Sequence, residues 1–118
     1  MRGDEKRVVD AFCAWLQSGG WDRTREQEFV DVVARRDGVT LYAEGKGRTA
    51  AIGLDVDTVY GQILRRMPSG EDSTGRFAVV APTEACVAAL RVRKRVRERL
   101  RIEIYCVDEH DVVRLVAE

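Results

Sequence analysis

A chain of 118 residues that is 45% hydrophobic, 34% charged and electrically neutral is neither disordered nor membrane-embedded, and its length suits one core. The neutrality, from 20 basic and 20 acidic side chains, also excludes a protein that coats nucleic acid through bulk positive charge. No run of about 18 apolar residues occurs, and the start, MRGDEKR, lacks the apolar stretch of a secretory signal, so a cytoplasmic protein with no membrane partner is expected.

Residues 4–18, DEKRVVDAFCAWLQS, place Val8, Val9, Phe12, Cys13 and Leu16 on one stripe at helical spacing, and Gly19-Gly20 ends the pattern. This predicts an amphipathic helix laid on a sheet, with Asp4 and Glu5 at the positive end of its dipole. Trp21 opens a short extended stretch, 21–27, read as the first strand.

The segment 28–46, EFVDVVARRDGVTLYAEGK, carries the strongest local signal in the chain. Asp37-Gly38 between two apolar runs reads as a two-residue type I′ hairpin turn, because both residues tolerate positive φ. With that turn, Arg36 faces Val39, and outward pairing brings Asp31 opposite Glu44. Alternation then sorts Phe29, Asp31, Val33, Tyr42, Glu44 and Lys46 to one face and Val30, Val32, Ala34, Leu41 and Ala43 to the other. Like charges directly opposite are destabilising, so two adjacent carboxylates need compensation. A hard divalent cation such as Mg²⁺ supplies it, since such ions take carboxylate oxygens and keep several waters. Lys46, on the same face, would then sit beside the ion and its water. The plainer account is a cross-strand ion cluster in which Lys46 itself offsets the two acids.

A small-residue connection, 47–54, follows; without a G-K-[ST] ending it is no phosphate-binding loop. Asp55 or Asp57 caps the next predicted helix, 56–67, whose Val56, Val59, Tyr60, Ile63 and Met67 form the inner face. Thr58, Gln62, Arg65 and Arg66 lie on the other side. Gln62 is either an exposed polar residue or an amide placed to orient water or phosphate without competing for a metal. The loop 68–75, PSGEDSTG, is dense in turn residues, and FAVVAP at 77–82 reads as a central strand buried on both faces.

Thr83 is the expected N-cap of a helix running from TEACVAAL onward through 91–101, RVRKRVRERLR, with Val92, Val96 and Leu100 as its apolar seam. That segment holds seven basic residues and one acidic, whereas 103–118 hold five acidic and one basic. Its arginines are either a solvated face or phosphate contacts, and the lopsided charge favours the second. IEIYCV, 102–107, alternates as a strand, 109–111 turns, and VVRLV, 112–116, closes as an edge strand whose Val113 and Leu115 could pair across a two-fold axis. Cys13, Cys86 and Cys106 are three in number and widely spaced, so buried thiols are expected rather than a disulfide framework or zinc site. His110, the one histidine, falls in the turn and is expected to be exposed.

Helix, three strands, helix, strand, helix and terminal strands describe an α/β domain over 1–118 with a mixed sheet flanked by helices. Asp31, the triplet Glu44-Gly45-Lys46 and the helix bearing Gln62 in YGQILRRM resemble the PD-(D/E)xK phosphodiesterase superfamily, the restriction-endonuclease-like fold with an αβββαβ core. The match runs from residue 4 to about residue 82, and Val30 stands where the family name has proline. The resemblance implies that Asp31, Glu44 and the Gly45 carbonyl bind Mg²⁺ or Mn²⁺, that Lys46 positions the attacking water, and that Gln62 orients water or substrate. The implied activity is hydrolysis of phosphodiester bonds in nucleic acid, DNA above all. Arg65, Arg66, Arg91, Arg93, Lys94, Arg95 and Arg97 are the candidate phosphate contacts. The competing expectation is a non-catalytic nuclease-like domain that binds nucleic acid or protein. In a chain this small, specificity would come from a homodimer or a targeting partner.

Overall fold

The computed structural model describes residues 2–25, 31–47, 52–67 and 75–118. Phe29, Val30, residues 48–51 of the small-residue connection, residues 68–74 of the polar loop and the side chains of Asp4 and Arg66 lie outside the described residues.

Helix α1 spans Arg2–Ser18. Its five predicted apolar positions, Val8, Val9, Phe12, Cys13 and Leu16, are all buried. Gly20, at φ +83°, ends it: the Trp21 N–H donates to the Leu16 carbonyl at 3.0 Å and the Gly20 N–H to Gln17 at 3.1 Å, a Schellman motif. Trp21 thereby folds back into the apolar cluster that holds Leu16.

The strands are β1 Asp22–Arg25, β2 Val32–Arg36, β3 Val39–Gly45, β4 Gly75–Pro82, β5 Ile102–Val107 and β6 Val113–Leu115. They form one six-stranded sheet in sequence order. β3, β4 and β5 are mutually parallel, and β2 and β6 run antiparallel to their neighbours. Asp37 at φ 52° and Gly38 at φ 79° make the predicted I′ turn, and its register carries Arg36↔Val39 out to Val32↔Ala43.

The parallel pairs require crossovers. One is helix α2, Ile52–Arg66; the other is a pair of short helices, α3 Thr83–Ala89 and α4 Lys94–Leu100. α1 packs on one face of the sheet against Val32, Ala34, Leu41, Ala43, Ala78 and Val80. α2 and α3 cover the other against Phe77, Val79, Ile102 and Ile104. The face assignment expected for the hairpin holds for Val32, Ala34, Leu41 and Ala43, which lie under α1, and for Tyr42, on the α2 side. The result is an α/β protein with a mixed sheet between helical layers. Among the described residues no helix is long and apolar enough to cross a membrane.

Four expectations are corrected. α2 starts at Ile52 rather than at residue 56, which leaves Asp55 inside the first turn instead of capping it. Pro82, not Thr83, is the N-cap of α3, and it supplies no side-chain cap. The single long helix is broken at residues 90–93, where Arg93 is extended (φ −68°, ψ 150°). That break turns α4 so that Arg97 faces inward at 5% exposure, while Val96, expected on the seam, is 45% exposed. The buried guanidinium is tolerated because Nε donates to the Val92 carbonyl at 2.8 Å and Nη2 to the carbonyl of Glu118. Finally, Cys86 and Cys106 are joined in a disulfide: α3 lies over β5, bringing residues 20 apart in sequence to a Cα–Cα distance of 6.2 Å. Cys13 is buried under α1 and outside the bridge.

Candidate functional site

In an open sheet with parallel strands, side chains gather for chemistry beyond the carboxyl ends of those strands. β3, β4 and β5 end together at Gly45, Pro82 and Val107, and antiparallel β2 begins at the same edge. Asp31, the residue before β2, therefore comes beside Gly45, the last residue of β3, with Glu44 and Lys46 as that residue's chain neighbours.

The meeting is not the square apposition that the hairpin register alone predicts. One more pair beyond Val32↔Ala43 would set Asp31 opposite Glu44, but the ladder stops at Val32 and Asp31 occupies a bend. Its Oδ2 accepts a hydrogen bond from the Gly45 backbone N–H at 2.7 Å. A carboxylate that accepts from a backbone amide makes a strong, charge-assisted bond. Lys46 donates its own N–H to the Val80 carbonyl at 2.9 Å, so the adjacent Gly45 peptide groups face the β2 side. The Gly45 carbonyl is thus turned toward the side that holds Asp31.

Glu44 lies on the α2 face beside Val79 and is only 4% exposed. Asp31 and Lys46 are half-buried. The glycine between Glu44 and Lys46 is dictated by packing: a Cβ there would sit 2.5 Å from Val9 Cγ2 and 3.6 Å from Asp31 Oδ2. Helix α1 thus presses on the end of β3 beside Asp31. Nothing in the sequence pairs Val9 with Gly45; the contact exists only after α1 docks.

The donor set fits a hard divalent cation. Asp31 has a second carboxylate oxygen beside the one bonded to Gly45, Glu44 is the neighbouring carboxylate on β3, and the Gly45 carbonyl is oriented to the side that holds Asp31. Among the described residues no group of three or more His, Cys, Asp or Glu side chains gathers, which leaves two carboxylates, a carbonyl and water. Such an all-oxygen, partly hydrated set suits Mg²⁺ or Mn²⁺ and disfavours zinc.

The remaining candidates are dispersed. Gln62 is half-buried in the second half of α2, about 15 Å along the axis from Ile52 at 1.5 Å per residue. Because α2 returns from the end of β3 to the start of parallel β4, its last turn, with exposed Arg65 and with Arg66, lies at the opposite end of the sheet from the acids. Arg91 reaches the first turn of α2: its Nη1 would be 3.1 Å from a Cβ on Gly53. Arg93, Lys94 and Arg95 are exposed around the start of α4. Arg97 is not: its donors are committed to the Val92 and Glu118 carbonyls, which removes it from the phosphate contacts the sequence suggests.

Two features hold the helices that frame this edge. The Tyr60 hydroxyl donates to the Ala89 carbonyl at 2.6 Å, joining α2 to α3, and burial pushes its phenol up to about 12. Arg7 on α1 bonds the Asp108 carbonyl at 2.9 Å and the Asp111 carboxylate at 2.7 Å, tying the helix to the β5–β6 turn. A groove of about 830 Å³ lies between α1 and that turn, lined by Arg7, Ala11, Trp15, Asp111 and Val112 among others; Asp31, Glu44, Lys46 and Gln62 do not line it. Comparison with protein-family models, with curated proteins and with solved structures gives no match for this chain.

Proposed function

We propose that the protein is a metal-dependent nuclease of the PD-(D/E)xK type that hydrolyses phosphodiester bonds in nucleic acid, with DNA the favoured substrate. The observation that carries the reading is the bond from the Gly45 N–H to Asp31, which ties one acid to the strand end bearing Glu44 and Lys46. The element order α1-β1-β2-β3-α2-β4 supports it, since it is the αβββαβ order of that superfamily.

In this reading Asp31, Glu44 and the Gly45 carbonyl hold Mg²⁺ or Mn²⁺. When bound, the ion would lower the pKa of its water and offset charge on the phosphoryl oxygens. Lys46 orients the attacking water and faces the phosphate's negative charge. Water attacks phosphorus in line, the bond to the 3′ oxygen breaks, and the products carry a 5′-phosphate and a 3′-hydroxyl. Arg91, Arg93, Lys94 and Arg95 contact the phosphate backbone, so binding weakens steeply with salt. Gln62 sits deep in α2 and takes the lesser part, touching the substrate rather than the ion.

Incubation of single-stranded, duplex and branched nucleic acids with the protein and Mn²⁺ tests the proposal, alongside calorimetric titration of Mg²⁺ and Mn²⁺. Cleavage should disappear in Lys46→Ala, and metal binding in Asp31→Ala and Glu44→Ala. Cleavage that survives Lys46→Ala places the chemistry elsewhere. Absence of metal binding by the intact protein overturns the reading and leaves a binding module built on the same scaffold.

A further inference from the structure

We propose that Cys86 and Cys106 form a redox latch that fixes the basic segment 91–101 to the body of the protein. The two cysteines sit on different layers, Cys86 on α3 and Cys106 on β5, and both are buried. The loop they close, of sequence separation 20, contains the whole arginine-rich stretch and α4. The bridge therefore brackets the most basic part of the chain.

Apart from the Arg97 hydrogen bonds, the segment makes few apolar contacts. Arg97 is the buried side chain of α4, and Val92 and Leu100 are only partly buried against the main cluster. Val96 is open to solvent. An element with few apolar contacts opens locally at low cost, and closing the chain around it removes many of its open conformations.

In the dithiol form the Cys86 S–H has the Ala81 and Tyr105 carbonyls beside it as acceptors, at 3.7 Å and 4.0 Å in the bridged form, and the two sulfurs move apart to van der Waals distance. Oxidation by a hydroperoxide balances as two thiols plus ROOH giving the disulfide, ROH and water. One thiolate attacks the peroxide oxygen and releases the alcohol; the second thiol attacks the resulting sulfenic sulfur and releases water. Because both sulfurs are buried, either change waits on opening of the seam between α3 and β5, so the latch sets and releases slowly.

The test uses the full chain treated with tert-butyl hydroperoxide or with a phosphine reductant, then freed of reagent. Thiol titration in denaturant should find one thiol, that of Cys13, after oxidation and three after reduction. Limited trypsin digestion should nick within 91–101 at least about tenfold faster in the reduced protein. The pair Cys86→Ala with Cys106→Ala should be nicked at the fast rate under both treatments, and Cys13→Ala should keep the redox response. Three thiols after oxidation, or equal nicking rates in the two forms of the intact protein, would overturn the latch. Because the wild-type comparison needs no variant, a double variant that failed to fold would not rescue the proposal.

Discussion

Gly45 and Arg97 show how far a single side chain can depart from what its neighbours suggest. Gly45 has no room for a Cβ, because Val9 Cγ2 would lie 2.5 Å from it. Gly45→Ala should cost about 1–3 kcal/mol by overpacking, and Val9→Ala in the same chain should recover part of the loss, both read from chemical denaturation. Arg97 is a buried cation held by two backbone carbonyls. Its replacement by Ala removes the donor of both carbonyls and empties a buried position, and should cost about 2–4 kcal/mol, whereas exposed Arg93→Ala should change stability by less than about 0.5 kcal/mol. Equal effects of the two substitutions in urea titrations would refute the inward placement of Arg97.

The hairpin of β2 and β3 sets the register on which the acids depend. Gly38 has φ 79°, a conformation a β-branched residue adopts only with strain. Gly38→Val should therefore destabilise by roughly 1–2 kcal/mol. A residue inserted between Asp37 and Gly38 should do more, because a one-residue slip moves every side chain of a strand to the other face. Calorimetry should then find Mg²⁺ affinity gone even where circular dichroism retains the fold; retained affinity would mean that the Asp31 bend, not the turn, fixes the site. The fracture of the expected long helix into α3 and α4 belongs here too. Apolar spacing of Val92, Val96 and Leu100 promised a continuous seam, and the seam fails because the chain is extended at Arg93.

For the molecule as a whole, alkaline stability follows from two buried phenols. Burial pushes both Tyr60 and Tyr105 from 10.0 up to about 12, and at Tyr105 the nearby Glu103 carboxylate adds to the rise while Arg76 opposes it. The unfolded chain loses these protons at lower pH than the folded one. Their contribution is therefore complete below pH 10 and is lost as pH rises from 10 to about 12. Urea midpoints across that range should fall more steeply for the wild type than for Tyr60→Phe, and parallel slopes would contradict the assignment. The proposed metal site gives a second global readout, since an ion that binds only the folded state raises its melting temperature. Saturating Mg²⁺ should raise it in the wild type and leave Asp31→Ala and Glu44→Ala unmoved.

Periodicity alone was enough for the element order, the five-residue apolar stripe of α1, the I′ turn and the doubly buried strand β4, because each depends on residues close together in the chain. The expected grouping of Asp31 with Glu44 and Lys46 rests on the same kind of reasoning, since a two-residue turn fixes a register that can be counted outward; the structure shows Asp31 bonded to Gly45. Other features arise between elements that are distant in sequence, where spacing carries no signal. The docking of α1 makes Gly45 obligatory. The packing of α3 on β5 joins Cys86 to Cys106. The rotation of α4 takes Arg97 out of solvent. Local pattern decides which way a side chain faces within its own element, and only the packing of whole elements decides which partner it finds there.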